Sequence, residues 1–402
     1  MTKPTLPNSQ NGLQKLSSTF EAFVNSEKSS GIILILCTLV SLMLTNLWLG
    51  QSYIDFWQQK FAGLSLELWI NDALMAIFFL LIGLELEREL YSGELSSFKN
   101  ALLPIIAAIG GTIAPAAIHF TLNQGTPSQA GIGIPMATDI AFALGALALL
   151  GSRVPPALKV FVVAFAVIDD LCAIIIIALF YTAQVKLVYL GAAVAIWFAL
   201  VFLNRRLRIM RLAPYLVGGA AMWTCMLLSG VHATIAGVML AFAIPFSAKD
   251  DDSSSPSHKL EHALHKPVAF LILPIFALAN TAIVIGADWM DQLGSANSLG
   301  IISGLVIGKT LGIVLFCVLA VSFKWCSLPA ELKWAHIIGA GMLGGIGFTM
   351  SIFITNLAFT GQADLINASK MAIMLASLGA GLLGLIWLTL FCKPTPSVSE
   401  QN

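Results

Sequence analysis

The sequence predicts an all-α polytopic membrane protein of about 12 transmembrane helices, and three observations predict it. The first is composition. Of 402 residues, 58% are hydrophobic and only 10% are charged, with a mean hydropathy of +0.88. A soluble domain carries about 25% charged residues, so this chain cannot coat a water-facing surface. The second is periodicity: apolar runs close to the roughly 20 residues that cross a bilayer recur along the chain, with no two-residue alternation. Only helices satisfy every backbone group within one segment in lipid, so these runs are helices. The third is the alternation of Lys and Arg between successive connections.

In chain order the spans fall near 32–49, 68–86, 101–121, 131–150, 157–181, 187–203, 212–228, 231–246, 267–286, 299–321, 335–358 and 368–391. Residues 1–31 are polar and read as a cytoplasmic segment, not a cleavable signal, because the apolar run that follows is long enough to span. Twelve spans leave both termini on one side. One set of connections then holds 17 Lys and Arg, and the other holds Lys60, Lys186 and Lys370, with Lys309 inside a span. The positive-inside rule assigns the first set to the cytoplasm, and with it both termini of a transmembrane domain, 32–392, and a tail, 393–402. Residues 51–66 lie outside; with Tyr53, Ile54, Phe56, Trp57 and Phe61 among polar neighbours, they form a small hairpin or an interfacial anchor. Residues 247–266, charged and Ser-rich, form a cytoplasmic linker between unequal halves. Six scattered cysteines without C-x-x-C spacing read as buried thiols, and zero net charge removes any electrostatic case for nucleic acid.

A charge at the centre of a span costs roughly 2.5–3.5 kcal/mol on insertion scales, so each demands a partner or a role. The set is small: Asp139, Asp169, Asp170 and Lys309. Asp169 and Asp170 lie deep in an apolar helix. Neighbours there diverge by about 100°, so both can border one cavity and titrate as a coupled pair. Carboxylate oxygens are what a hard monovalent cation needs, and protons compete for the same atoms. Lys309 has the charge to partner one of them. Its Gly-Lys-Thr context is no phosphate loop: the first glycine position holds Ser303, and no strand precedes it. Asp139 follows a Gly- and Pro-rich stretch, 131–138, that predicts a helix unwound midway. The eleventh span is equally Gly-rich at 339–347, where a break competes with close packing through Gly341 and Gly345; paired with the fourth span, the break is the better reading. Half-helices end in partial charges, and Asp139 and Lys309 have the signs to balance them. His119 reads as a packing residue, and Asp72 as a polar helix-end residue. His262 and His265, beside Glu261, read equally well as a solvated cluster or as pH-responsive groups.

At these residues the chain resembles the NhaA family of bacterial Na⁺/H⁺ antiporters. The matching segments are INDALMA (70–76), GLELERE (83–89), ATDIAFALG (137–145), VIDDL (167–171), SGVHAT (229–234), LEH (260–262), GK (308–309) and GIGFTMS (345–351). They run in family order over nearly the whole chain. The resemblance implies inverted repeats, spans three to five and ten to twelve, with two interrupted helices crossing at the midplane. This family is itself a reference example of that architecture. It implies Thr138 and Asp139 at the crossing, Asp170 as principal Na⁺ ligand and proton carrier, and Asp169 assisting through an ion pair with Lys309. Glu85, Arg88, Glu89, Glu261, His262 and His232 would belong to a cytoplasmic funnel and its pH response. The 51–66 segment would be a periplasmic hairpin that pairs protomers in a homodimer. The transported ions would be Na⁺ or Li⁺ and H⁺, moved electrogenically across the inner membrane without a cofactor and without enzymatic chemistry. One departure from the family pattern is Thr310, where Pro commonly follows the lysine.

Two other readings compete. A Na⁺-coupled symporter would need room for an organic substrate. An intramembrane aspartyl protease would need its acids on separate helices, one of them in Gly-x-Gly-Asp, whereas Gly345-Ile346-Gly347 is followed by Phe348 and the paired acids here are neighbours.

Overall fold

The computed structural model describes residues 29–181, 185–247 and 255–392. Residues 1–28 of the expected N-terminal segment 1–31, the expected tail 393–402, and residues 248–254 of the expected linker lie outside them. Among the described residues nine helices are long and apolar enough to cross a membrane: α1 (Ser29–Trp48), α3 (Leu66–Tyr91), α4 (Asn100–Asn123), α6 (Pro156–Phe180), α7 (Leu187–Arg205), α8 (Leu212–Ser229), α10 (Pro256–Asn280), α11 (Ala296–Ser322) and α14 (Ala363–Phe391). A short helix, α2 (Gln51–Gln58), follows α1. Two bent pairs complete the set. A 3₁₀ segment, Pro127–Met136, meets α5 (Ile140–Leu149) at 43°, and α12 (Trp334–Gly344) meets α13 (Phe348–Ala358) at 44°. Counting each pair as one, 11 spans pass on length and composition among the described residues, one fewer than the 12 expected.

The difference is 231–246. Gly230 ends α8 in the left-handed region (φ 83°), a turn follows, and only α9 (Ile235–Ala241) is helical. Seven residues rise about 10 Å, a third of a bilayer core. The helix by itself is too short to cross, but the segment as a whole follows α3, from Gly237 beside Ala76 to Phe246, which stacks on Tyr91 at the end of α3 with ring centroids 5.5 Å apart. α9 lies on α3 and runs in the same direction: Gly237 sits against the backbone of Ala76 and Leu80, and Gly83 against Val238 and Ala241.

Two boundaries also move. Helix α10 starts inside the expected linker, because Ser255 caps it, accepting from the His258 N–H at 3.2 Å, and Pro256 takes the first position. At the other end of the chain, α14 begins at Ala363, soon after the left-handed Gly361 (φ 82°). Lys370, expected on an outer connection, is therefore inside a helix and buried. Polar Asp364, Asn367 and Ser369 hid the first two turns from an apolar window. Residues 51–66 contain α2 and a hairpin of β1 (Lys60–Phe61) and β2 (Leu64–Ser65), with Lys60 opposite Ser65. Ala62 and Gly63, both at positive φ, make the two-residue turn whose twist suits such a pairing.

Helix faces that lack protein neighbours are apolar: Leu36 and Leu39 on α1, Phe198 and Phe202 on α7, Leu382 and Ile386 on α14 are all exposed. Lipid is the solvent for such a surface, and the chain is a multi-pass membrane protein. Inside, small residues set the helix spacing. On α11, Gly312 lies against the carbonyl of Gly110 on α4, and the relation is mutual. One turn earlier a Cβ on Gly308 would come within 2.9 Å of the Pro115 Cα. These contacts hold α4 and α11 close enough for Lys309 to cross between them. Replacing Gly312 by Val should cost at least the 1–3 kcal/mol typical of overpacking, seen as a lower unfolding temperature of the purified protein. Gly191→Ala and Gly379→Ala, at helical positions with nothing within 4 Å, should leave that temperature unchanged or raise it.

Candidate functional site

The two bent pairs cross where each loses its helical hydrogen bonds, and each fills the gaps of the other. The Asp139 N–H donates to the Ile346 carbonyl at 2.6 Å, the Thr138 hydroxyl to Gly344 O at 2.8 Å, and the Ser351 hydroxyl to Ile134 O at 2.7 Å. Asp139 caps α5 by accepting from the Phe142 N–H at 3.2 Å. Its other oxygen accepts from the Thr349 N–H at 3.1 Å and from the Thr349 hydroxyl. One carboxylate thus serves the N-terminal ends of α5 and α13, both of which carry partial positive charge. Lys309 does the converse, donating to the carbonyl of Met136 at the C-terminal end of the 3₁₀ segment.

Helix α6 brings the acid pair to this crossing. Asp169, Asp170 and Lys309 are each at most 1% exposed. Lys309 Nζ donates to Asp169 Oδ2 at 2.7 Å, and the Thr112 hydroxyl donates to Asp169 Oδ1 at 3.3 Å. A π turn over Gly304–Gly308 immediately precedes Lys309, whose N–H reaches back to Gly304 O. Asp169 is therefore neutralised locally. Asp170 is not: its Oδ1 is buried and has no hydrogen-bond partner among the described residues. An unpaired buried carboxylate is costly, because removing one partner of a buried pair alone costs about 3–5 kcal/mol. A proton or a monovalent cation on Asp170 removes that cost.

A cavity of about 50 Å³ reaches Asp170, with Asp139, Thr138 and Thr349 beside it and Glu85 and His265 along its wall. It has room for a few water molecules or an ion that has shed part of its hydration shell, each water needing roughly 10–15 Å³ by this measure. One turn beyond Glu85, Arg88 bridges two helices, with Nη1 2.7 Å from Glu261 Oε1 on α10 and Nη2 3.6 Å from Glu89 Oε1 on its own helix. Of the residues singled out from the sequence, Thr138, Asp139, Asp169, Asp170 and Lys309 thus share one site. Glu85, Arg88, Glu89 and Glu261 gather at one end of α3.

Two residues fall elsewhere. His232 is held by a 2.9 Å contact of its Nε2 with the Tyr181 carbonyl. Because α9 runs alongside α3, this places it level with the start of α3, whereas Glu85 is near the end. The motif order of the sequence carried no information on which end of a neighbouring helix a turn residue meets. His262 is exposed, while His265, one turn further on, lines the cavity. Sequence reasoning also passed over Thr349 as a partner of Asp139. The signal for His265 was its i+4 spacing from Glu261, usable only once α10 is known to begin before Glu261.

Comparisons with known proteins agree in coverage. A profile of the family described as Na⁺/H⁺ antiporter 1 matches residues 21–388. The Na⁺/H⁺ antiporter NhaA of Dechloromonas aromatica is 68% identical over 94% of this chain and 97% of its own length. The NhaA of Cytophaga hutchinsonii is 59% identical over 94% and 97%, and that of Helicobacter pylori 44% over 93% and 95%. With the whole bundle matched, bent pairs and acid pair included, the chain belongs to the Na⁺/H⁺ antiporter 1 family.

Proposed function

We propose that this protein exchanges Na⁺, or Li⁺, for H⁺ by competition of the two ions for Asp170 and its neighbour Asp169. The observation that carries the reading is the buried, unpartnered Asp170 Oδ1 at the foot of a cavity, next to an acid already neutralised by Lys309. Binding of Na⁺ displaces protons from Asp170 and frees Asp169 from Lys309; the loaded site then turns to the other face, and protons rebind after Na⁺ leaves. One shared site makes exchange obligatory. Return of more than one proton per Na⁺ makes it electrogenic. The two bent pairs and their flanking helices act as inverted repeats about this site.

The Arg88 cluster with Glu85, Glu89 and Glu261 (and His265 on the cavity wall) carries the pH response, since Glu85 and His265 line the cavity that reaches Asp170 and Arg88 ties Glu261 to the same end of α3. The lopsided Lys and Arg distribution supports an inner-membrane topology with that cluster and both termini cytoplasmic. The 60–65 hairpin stands out of the bundle and pairs protomers. A symporter is the poorer reading: about 50 Å³ of cavity is small beside the roughly 300–1,000 Å³ of organic-ligand pockets.

The test is a proton-gradient dequenching assay in everted vesicles. NaCl and LiCl should collapse the gradient and KCl should not. Asp170→Asn should insert normally and lose exchange by a factor of at least about 100; full exchange by that variant would rule out the mechanism. The ion pair has its own signature in stability. Lys309→Gln should lower stability by about 3–5 kcal/mol, because it strands Asp169, and adding Asp169→Asn should restore most of the loss. Thermal unfolding of the purified single and double variants measures both.

A further inference from the structure

The cavity occupies one end of a seam between two groups of helices. α3 and α10 form one wall, through Glu85, Ile82, Val268 and Leu273, and α13 contributes Thr349 to the other. Followed along the same three helices, the seam closes. Phe79 of α3 and Phe353 of α13 meet with ring centroids 5.5 Å apart. Beyond them stands a polar cluster that neither the ion site nor the Arg88 cluster uses. Asn280, wholly buried at the end of α10, is its hub. Its amide nitrogen donates to Asn71 Oδ1 at 2.8 Å and to Phe276 O at 3.0 Å. Its oxygen accepts from the amide nitrogens of Asn71, at 3.3 Å, and Asn356, at 2.5 Å.

Asn71 lies on α3, Asn280 on α10 and Asn356 on α13, so the trio crosses the seam. Each is about two turns, roughly 10 Å, past the cavity-lining residues of its own helix, namely Phe78, Leu273 and Thr349. Packing alone does not call for three amides here, since an apolar trio would avoid the desolvation that the amides must offset with hydrogen bonds. Their bonds are directional, satisfied only in one registry of α13 against α3 and α10, and exchangeable for water once the seam parts.

We infer that Asn71, Asn280 and Asn356 form a latch that holds the seam shut at the end opposite the cavity and must break for the ion site to open there. The inference rests on the alternating-access reading above.

The reporter is Met75→Cys, in a background with the six native cysteines replaced. Met75 is fully buried and lies one turn from Asn71 toward Phe78. A membrane-impermeant maleimide is applied from the side opposite the Arg88 cluster, with and without NaCl. Asn356→Ala should raise the labelling rate about five- to ten-fold, the population shift of one net hydrogen bond. Asn71→Ser should act in the same direction, which guards against a folding defect in either variant. Labelling that both variants leave unchanged while the parent is labelled overturns the latch and leaves alternating access standing. If the parent is never labelled from that side during measured Na⁺-driven exchange, the seam is not the moving part and the latch falls with it.

Discussion

Interrupting a helix inside a bilayer strands backbone N–H and C=O groups where no lipid atom can pair with them, and the rest of this structure follows from how that is resolved. Here two interruptions are placed against each other. Thr138, Asp139, Thr349 and Ser351 exchange bonds across the crossing, so each half-helix end is satisfied by the other pair. Side chains that complete the backbone are then unavoidably polar and central. The charged site is a continuation of that repair: an acid at two positive ends and a lysine at a negative one.

Charge balance at the crossing explains why a third and a fourth charge are tolerated. Lys309 neutralises Asp169 at 2.7 Å and simultaneously serves a backbone carbonyl, so its own burial is offset twice. Asp170 adds a second buried acid whose Oδ1 has no hydrogen-bond partner among the described residues. A purely structural site would have an asparagine there at lower cost. Keeping the acid is sensible only if its neutraliser is exchangeable, as a proton or cation is.

The bundle's mechanics rest on small residues at specific places. Gly110, Gly304, Gly308 and Gly312 allow α4, α11 and the Pro127–Met136 segment to approach at backbone distance, which fixes the lysine relative to the acid pair. The opposite wall, α3 with α10, meets this rigid block along a seam of mixed character: polar cavity, aromatic layer, then amide cluster. A seam of that kind can have two discrete closures, since its bonds are local and its packing is not continuous across the gap.

Much of this was legible in the residues themselves. Hydropathy and charge count determined the solvent, and runs of about 20 apolar residues without alternation determined the helical class, because only a helix satisfies such a run in lipid. Four intramembrane charges were visible as such, and the Gly- and Pro-rich stretches marked both interruptions, since helix propensity is a local property. Contacts were not legible. The residues by themselves offered Lys309 to either acid; the family resemblance implied Asp169, and packing places the lysine on it. The sequence could not show that only 235–241 of the eighth run is helical, that α10 reaches back through its Ser255 cap, or that His232 and Glu85 lie at different ends of α3. Apolar periodicity records burial, and burial is the same for a spanning helix, a short helix packed on a neighbour and a turn between them. Which groups meet depends on how helices far apart in the chain are stacked, and that is decided by tertiary structure alone.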